Sequence, residues 1–139
     1  CCILFAFSSQ AELEIYKDYD LGTEIIVMTT VRIDPNMENV YLAGLRESWI
    51  KAVRLQKKLG YIKDWKIYGS ELPQSGDFNM ILMVIFENSS DLDPNKEKYN
   101  TFMKSWGKAN QENSREITKT YPNVRELTGE YRLREIMIK

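Results

Sequence analysis

Residues 78–87, FNMILMVIFE, constrain the fold more than any other stretch. They are too short for a typical helix, rich in branched residues, and apolar on both alternating sets. Met80, Leu82, Val84 and Phe86 point one way, and Ile81, Met83 and Ile85 the other. A strand that is apolar on both faces has to be covered on both faces. The rest of the chain offers about two amphipathic helices, enough for one side. The other side calls for a second sheet, which 139 residues arranged as this chain is cannot supply. The segment therefore predicts a partner subunit.

Composition narrows the function classes. Hydrophobic residues make up 43% of the chain and charged residues 28%, as in an ordinary globular domain. Nineteen basic against 20 acidic residues leave a formal charge of −1. That balance gives no electrostatic basis for binding nucleic acid or an anionic membrane surface. There is no histidine, which removes the commonest general base and metal ligand. The only cysteines are Cys1 and Cys2, so thiolate catalysis, zinc-thiolate sites and internal disulfides are not expected in the domain. No cofactor is expected. No stretch after the first residues has the length of a membrane span.

Read in order, residues 1–11 resemble the end of a secretory signal peptide. An apolar run, CCILFAF, precedes small residues at Ser9 and Ala11, an A-x-A-like cleavage pattern. The ordinary alternative is a first core strand. The export reading places the protein in a bacterial periplasm or outside the cell; a lipid anchor at Cys1 or Cys2 is the weaker variant. Residues 12–22 read as a polar arm or short edge strand, and residues 23–139 as one domain. Its first strand is predicted over 23–33, ended by Asp34-Pro35. One long helix is expected over 36–59, with Tyr41, Leu42, Leu45, Trp49, Ala52, Leu55 and Leu59 forming its apolar stripe. Lys57 and Lys58 suit its negative end, and Gly60 closes it. A second strand over 61–72 and a loop at 73–77 lead into the 78–87 strand. Asp93 as N-cap and Pro94 as first residue open the next helix, with Tyr99, Phe102, Met103 and Trp106 on one side. It is expected to reach Tyr121, with Gly107 an irregularity and Pro122 the stop. Val124 and Leu127 are expected under the connection, and a last strand over 130–139.

The order β-α-β-β-α-β is that of the split βαβ, or ferredoxin-like, α+β fold: an antiparallel sheet with both helices on one face. Its other face would be bare and apolar, and a two-fold homodimer is the common remedy. With this order, the segments MENVYLAGLRESW, IKDWKIYGSEL and EYRLREI resemble the dimeric α/β-barrel superfamily, closest to its small exported members of unknown function. The resemblance spans residues 23–139. It implies sheet faces paired in a dimeric barrel. That superfamily includes antibiotic-biosynthesis monooxygenases, haem-degrading monooxygenases, chlorite dismutases and muconolactone isomerases. The haem branches generally lean on a histidine, which this chain lacks.

Candidate site residues are few. Trp49, Trp65 and Trp106 could line a pocket for a flat organic ligand, although tryptophans at such spacing more often fill a core. Arg32, Lys66 and Tyr68 could face the space between two sheets and hold an anion, although rim residues of this kind are more often solvated or paired. Arg132 and Arg134 read as cross-strand partners of Glu130 and Glu135. Asp91, Asp93 and Asn95 imitate the start of a calcium loop, but Lys96 and Phe102 stand where a glycine and a glutamate are needed. The expected function is binding of a small apolar or aromatic ligand. The alternative is a cofactor-independent monooxygenase or isomerase, with Tyr68, Asn79 or Trp49 donating hydrogen bonds to a carbanionic substrate.

Overall fold

The computed structural model describes residues 11–72 and 75–139; most of the signal-like segment thus lies outside the described residues. Strands β1 (Tyr19–Leu21) and β2 (Ile25–Ile33) precede helices α1 (Glu38–Glu47) and α2 (Trp49–Lys58). Then come β3 (Asp64–Gly69), β4 (Met80–Phe86), α3 (Lys96–Thr120), β5 (Arg125–Leu133) and β6 (Ile136–Ile138). The main sheet has the order β3-β4-β2-β5 and is antiparallel throughout. With the helical insertions after β2 and β4, this is the ferredoxin-like α+β fold.

The two-faced character of β4 is real. Met80 and Leu82 join Val31, Ile33, Tyr41, Leu45 and Tyr121 in the core, with Trp49, Ile50, Ile67 and Ile117 packed against it. The helical side chains in this cluster therefore all meet the Met80–Leu82 set. The register puts the other set in three rows across the sheet: Asp64–Ile85–Ile26–Leu133, Lys66–Met83–Met28–Tyr131 and Tyr68–Ile81–Thr30–Gly129. Of these side chains only Thr30 is buried. It bonds Thr128 Oγ1 at 2.8 Å across a bulge in β5. The ring of Tyr131 lies over Gly129, so a β-carbon there would stand 2.9 Å from it.

Five expectations need correction. The long helix over 36–59 is two helices that meet at Ser48, whose backbone (φ −125°, ψ −90°) leaves the helical region. Its hydroxyl donates to the Gly44 carbonyl at 2.8 Å while its N–H turns to Leu45. Side-chain competition for a helical carbonyl is the known liability of serine in a helix. The α2 end is as expected: Gly60 (φ 76°) lets its own N–H reach Lys57 and that of Tyr61 reach Gln56, the Schellman pattern. The N-cap of α3 is Asn95, which accepts from Lys98 N at 2.9 Å, and not Asp93. Asp93 is extended and ends a separate 3-10 turn, Ser89–Leu92, held by a capping box between Asn88 and Asp91.

The third correction concerns the C-terminal region. Strand β5 begins at Arg125, so Leu127 lies in the sheet and is 47% exposed, while Val124 packs on the core. The strand expected over 130–139 is the end of β5 plus β6. The latter pairs with β1 in a two-stranded ribbon, Tyr19 opposite Ile138 and Leu21 opposite Ile136. The arm over 12–22 thus does contain a short strand. Fourth, Arg134 donates to the carbonyl of Gly22 at 2.7 Å rather than to a glutamate. The second strand is also shorter than expected, Asp64–Gly69. Gly107 (φ 76°, ψ 162°) interrupts α3 outright.

Candidate functional site

Between the helices and the β2–β5 side of the sheet lies a cavity of about 420 Å³. That is within the range of small-molecule sites, roughly 300–1,000 Å³. Thr29 and Leu82 form its floor, Trp49 and Ala52 one wall, Ser114 and Thr118 of α3 another. At one end stand Tyr41, Ser48, Tyr121 and Arg125; Glu130 lies further along β5.

Each polar group is placed by the local fold. Tyr41 is on the buried stripe of α1. Tyr121 follows the last turn of α3 and is held there by the Pro122 3-10 turn. The two rings meet edge to face, 5.1 Å between centroids. Arg125, the first residue of β5, lays its guanidinium in the corner they make, 5.1 Å from the Tyr121 ring and 5.9 Å from that of Tyr41. Its Nε is a buried side-chain nitrogen with no hydrogen-bond partner among the described residues. Leaving such a donor unsatisfied costs on the order of 1–3 kcal/mol, more for a charged group. An acceptor placed in the corner would relieve that cost.

The Tyr121 hydroxyl stands 2.6 Å from Ser48 Oγ. Ser48 has one proton, and the Gly44 carbonyl, which can only accept, takes it. The proton in the Tyr121–Ser48 bond is then that of the phenol. Tyr121 offers a ligand lone pairs and no free proton. Burial pushes the phenols of Tyr41 and Tyr121 up, against the opposing pull of the Arg125 charge on both. Both stay neutral at ordinary pH, and neither serves as a base. Glu130 lies four positions from Arg125 as counted on the partner strand β2, opposite Thr29 where Arg125 is opposite Ile33. At about 3.3 Å per residue the two charges are about 13 Å apart along the strand.

The residues expected from sequence are distributed. Trp49 lines the cavity, and Trp65 packs edge-on against it at 5.8 Å with Arg54 at 5.8 Å from the Trp65 ring. Trp106 is buried elsewhere, stacked on Phe102. Tyr68 and Lys66 lie on the open sheet face. Arg32 is exposed and ties down the next loop, donating to the carbonyls of Gly76 and Asp77. Asn79 spends its amide on Ile33, accepting from the N–H at 2.8 Å and donating to the carbonyl at 3.0 Å. Sequence alone does not mark Tyr41, Ser48, Tyr121, Arg125 or Glu130 as site residues. Ser48 falls three residues after Leu45 on the stripe, a polar residue on an apolar face, and that was the available signal.

Among the described residues no three of Asp, Glu or Cys gather as a metal site, and no helix is long and apolar enough to cross a membrane. No family model and no curated protein matches the chain. One solved structure is similar over 81% of this chain and 94% of its own, at 13% identity and a TM-score of 0.44. It is described as a dimeric protein of unknown function and ferredoxin-like fold from Bacteroides fragilis NCTC 9343.

Proposed function

We propose that the protein is a self-associating, exported domain that binds a small aromatic acid in the cavity beside Arg125. The observation that carries the reading is the Arg125 Nε, buried without an acceptor at the end of an aromatic-walled space. A carboxylate or phenolate seated there receives a charge-assisted hydrogen bond. Its ring then packs along Trp49. Titrating the protein with benzoate and with benzamide tests this. Benzoate is expected to bind at least tenfold more tightly, and Arg125→Met to abolish the difference. Equal binding of the two, or none of either, refutes the reading.

Self-association rests on the open sheet face. Four strands at about 4.8 Å spacing and nine residues of β2 give it a projected area on the order of 600 Å². A stable interface takes about 800 Å² per partner. The face also carries Arg32 and Lys66 against Asp64 and Glu126, so a second copy meets no net like charge. The signal-like residues 1–11 support the export reading; N-terminal sequencing of protein recovered from the periplasm or the medium is expected to start at Glu12.

The cofactor-independent oxygenase or isomerase is the second reading. Trp49 is the one of its three named donors that lines the cavity, while Glu130 supplies a carboxylate there. Oxygen uptake with quinol-type substrates would favour it over simple binding.

A further inference from the structure

A second groove, of about 330 Å³, lies at the opposite end of β4, between the end of α2, the Ser89–Leu92 turn and the first turns of α3. Its rings are Tyr61, Phe86, Tyr99 and Phe102, and its charges are Asp91, Asp93 and Lys98. The Lys98 ammonium sits 5.2 Å from the centre of the Tyr61 ring and 3.8 Å from Asp91 Oδ1. The first distance is within cation–π range. The second is near the outer limit of an ion pair, and the Lys98 side chain is 41% exposed. The groove therefore holds a cation over an aromatic face, and holds it loosely. Its two carboxylates against one ammonium leave one negative charge unbalanced.

We propose that this groove is a binding site for an N-alkylated ammonium ion, with Lys98 as its internal occupant. Ring faces attract a cation through their quadrupole, and N-alkylation removes the tightly held water that a primary ammonium would have to shed. Aromatic walls with carboxylates at the rim fit that chemistry better than a primary amine, which needs several acceptors converging at hydrogen-bond distance. Lys98 competes with the ligand for the Tyr61 face and for Asp91. Removing it therefore strengthens binding, the opposite of what a lysine that merely stabilised the groove would show.

The test titrates the full chain with choline, and with 3,3-dimethyl-1-butanol as a neutral isostere. Binding is read from isothermal calorimetry and from tryptophan fluorescence, which the Phe102–Trp106 stack couples to the groove. Lys98→Met is expected to tighten choline by about threefold to tenfold, the combined worth of one ring contact and one exposed ion pair. Tyr61→Leu and Asp93→Asn are expected to weaken it. Arg125→Met, in the other cavity, is expected to leave it unchanged, so this site stands or falls separately from the aromatic-acid reading. Choline binding no tighter in Lys98→Met than in the parent, or matched by the alcohol, overturns the proposal. Melting temperatures of each variant separate lost binding from lost fold.

Discussion

The phenol of Tyr121 donates to the hydroxyl of Ser48 across 73 residues of chain, at 2.6 Å and largely buried. That bond fastens the end of α3 to the point where α1 and α2 part. The same approach leaves no room at Gly44, where a β-carbon would stand 3.0 Å from the Tyr121 ring and 3.2 Å from Ile117. The two halves of the bond are not equivalent. Tyr121→Phe removes a donor and leaves Ser48 still bonded to Gly44, and is expected to cost about 1 kcal/mol. Ser48→Ala strands the phenolic proton and frees the Gly44 carbonyl, and is expected to cost more, about 1–3 kcal/mol. Urea denaturation of both singles and the double closes the cycle; a larger loss for the phenylalanine variant would contradict this proton assignment.

Alkali should act on the same cluster. Burial raises the phenols of Tyr41 and Tyr121 above their value of 10.0, so the folded state holds two protons that the unfolded state releases first. Their contribution to stability is complete below about pH 10 and is lost as pH rises through the raised folded values. Phenolate absorbance during an alkaline titration is expected to show two of the eight tyrosines ionising only as the fold is lost. In Tyr41→Phe or Tyr121→Phe, one should remain.

Gly107 is held at φ 76°, ψ 162°, a region open essentially only to glycine. A β-carbon there would meet nothing within 4 Å. Gly107→Ala therefore isolates backbone strain from packing, and is expected to cost about 1–3 kcal/mol in chemical denaturation. A neutral result would mean that α3 straightens through the position.

The open sheet face gives a further expectation. In sedimentation at micromolar concentration the parent should run at twice its 16.3 kDa. Met83→Glu puts a charge in the central row, beside Met28 and Lys66, without touching the core side of β4. It is expected to yield a folded monomer. Gly129→Ala should turn the Tyr131 ring off the strand and press on the buried Thr30 hydroxyl at 3.1 Å, weakening association several-fold. A monomeric parent would remove the basis for both.

The sheet was legible because its signals are local. Alternation along 78–87 assigns faces that the register reproduces, and Gly60 and Pro122 end helices where their backbone chemistry requires. The departures are where a distant partner decides. Ser48 looks helical until Tyr121 and the Gly44 carbonyl claim its hydroxyl. Asp93-Pro94 has the composition of a helix start, but the capping box of Asn88 and Asp91 had already used the preceding turn. The cavity was the least legible part. Its cation, Arg125, comes just after a proline-bearing connection, and only the topology brings it beneath Tyr41. Trp49 and Trp65 do meet, but Trp106 belongs to the second groove's helix.

The β1–β6 ribbon has a mechanical corollary. Tyr19 and Ile138 face each other at its tip, and the same two strands run on, through the Gly22–Glu135 contact, into the β2–β5 ladder. Tension applied between residues 19 and 138 would load the outermost pair of hydrogen bonds alone and peel the rest in sequence, with β5 drawn off the sheet edge next. The domain would unzip under pull at low force.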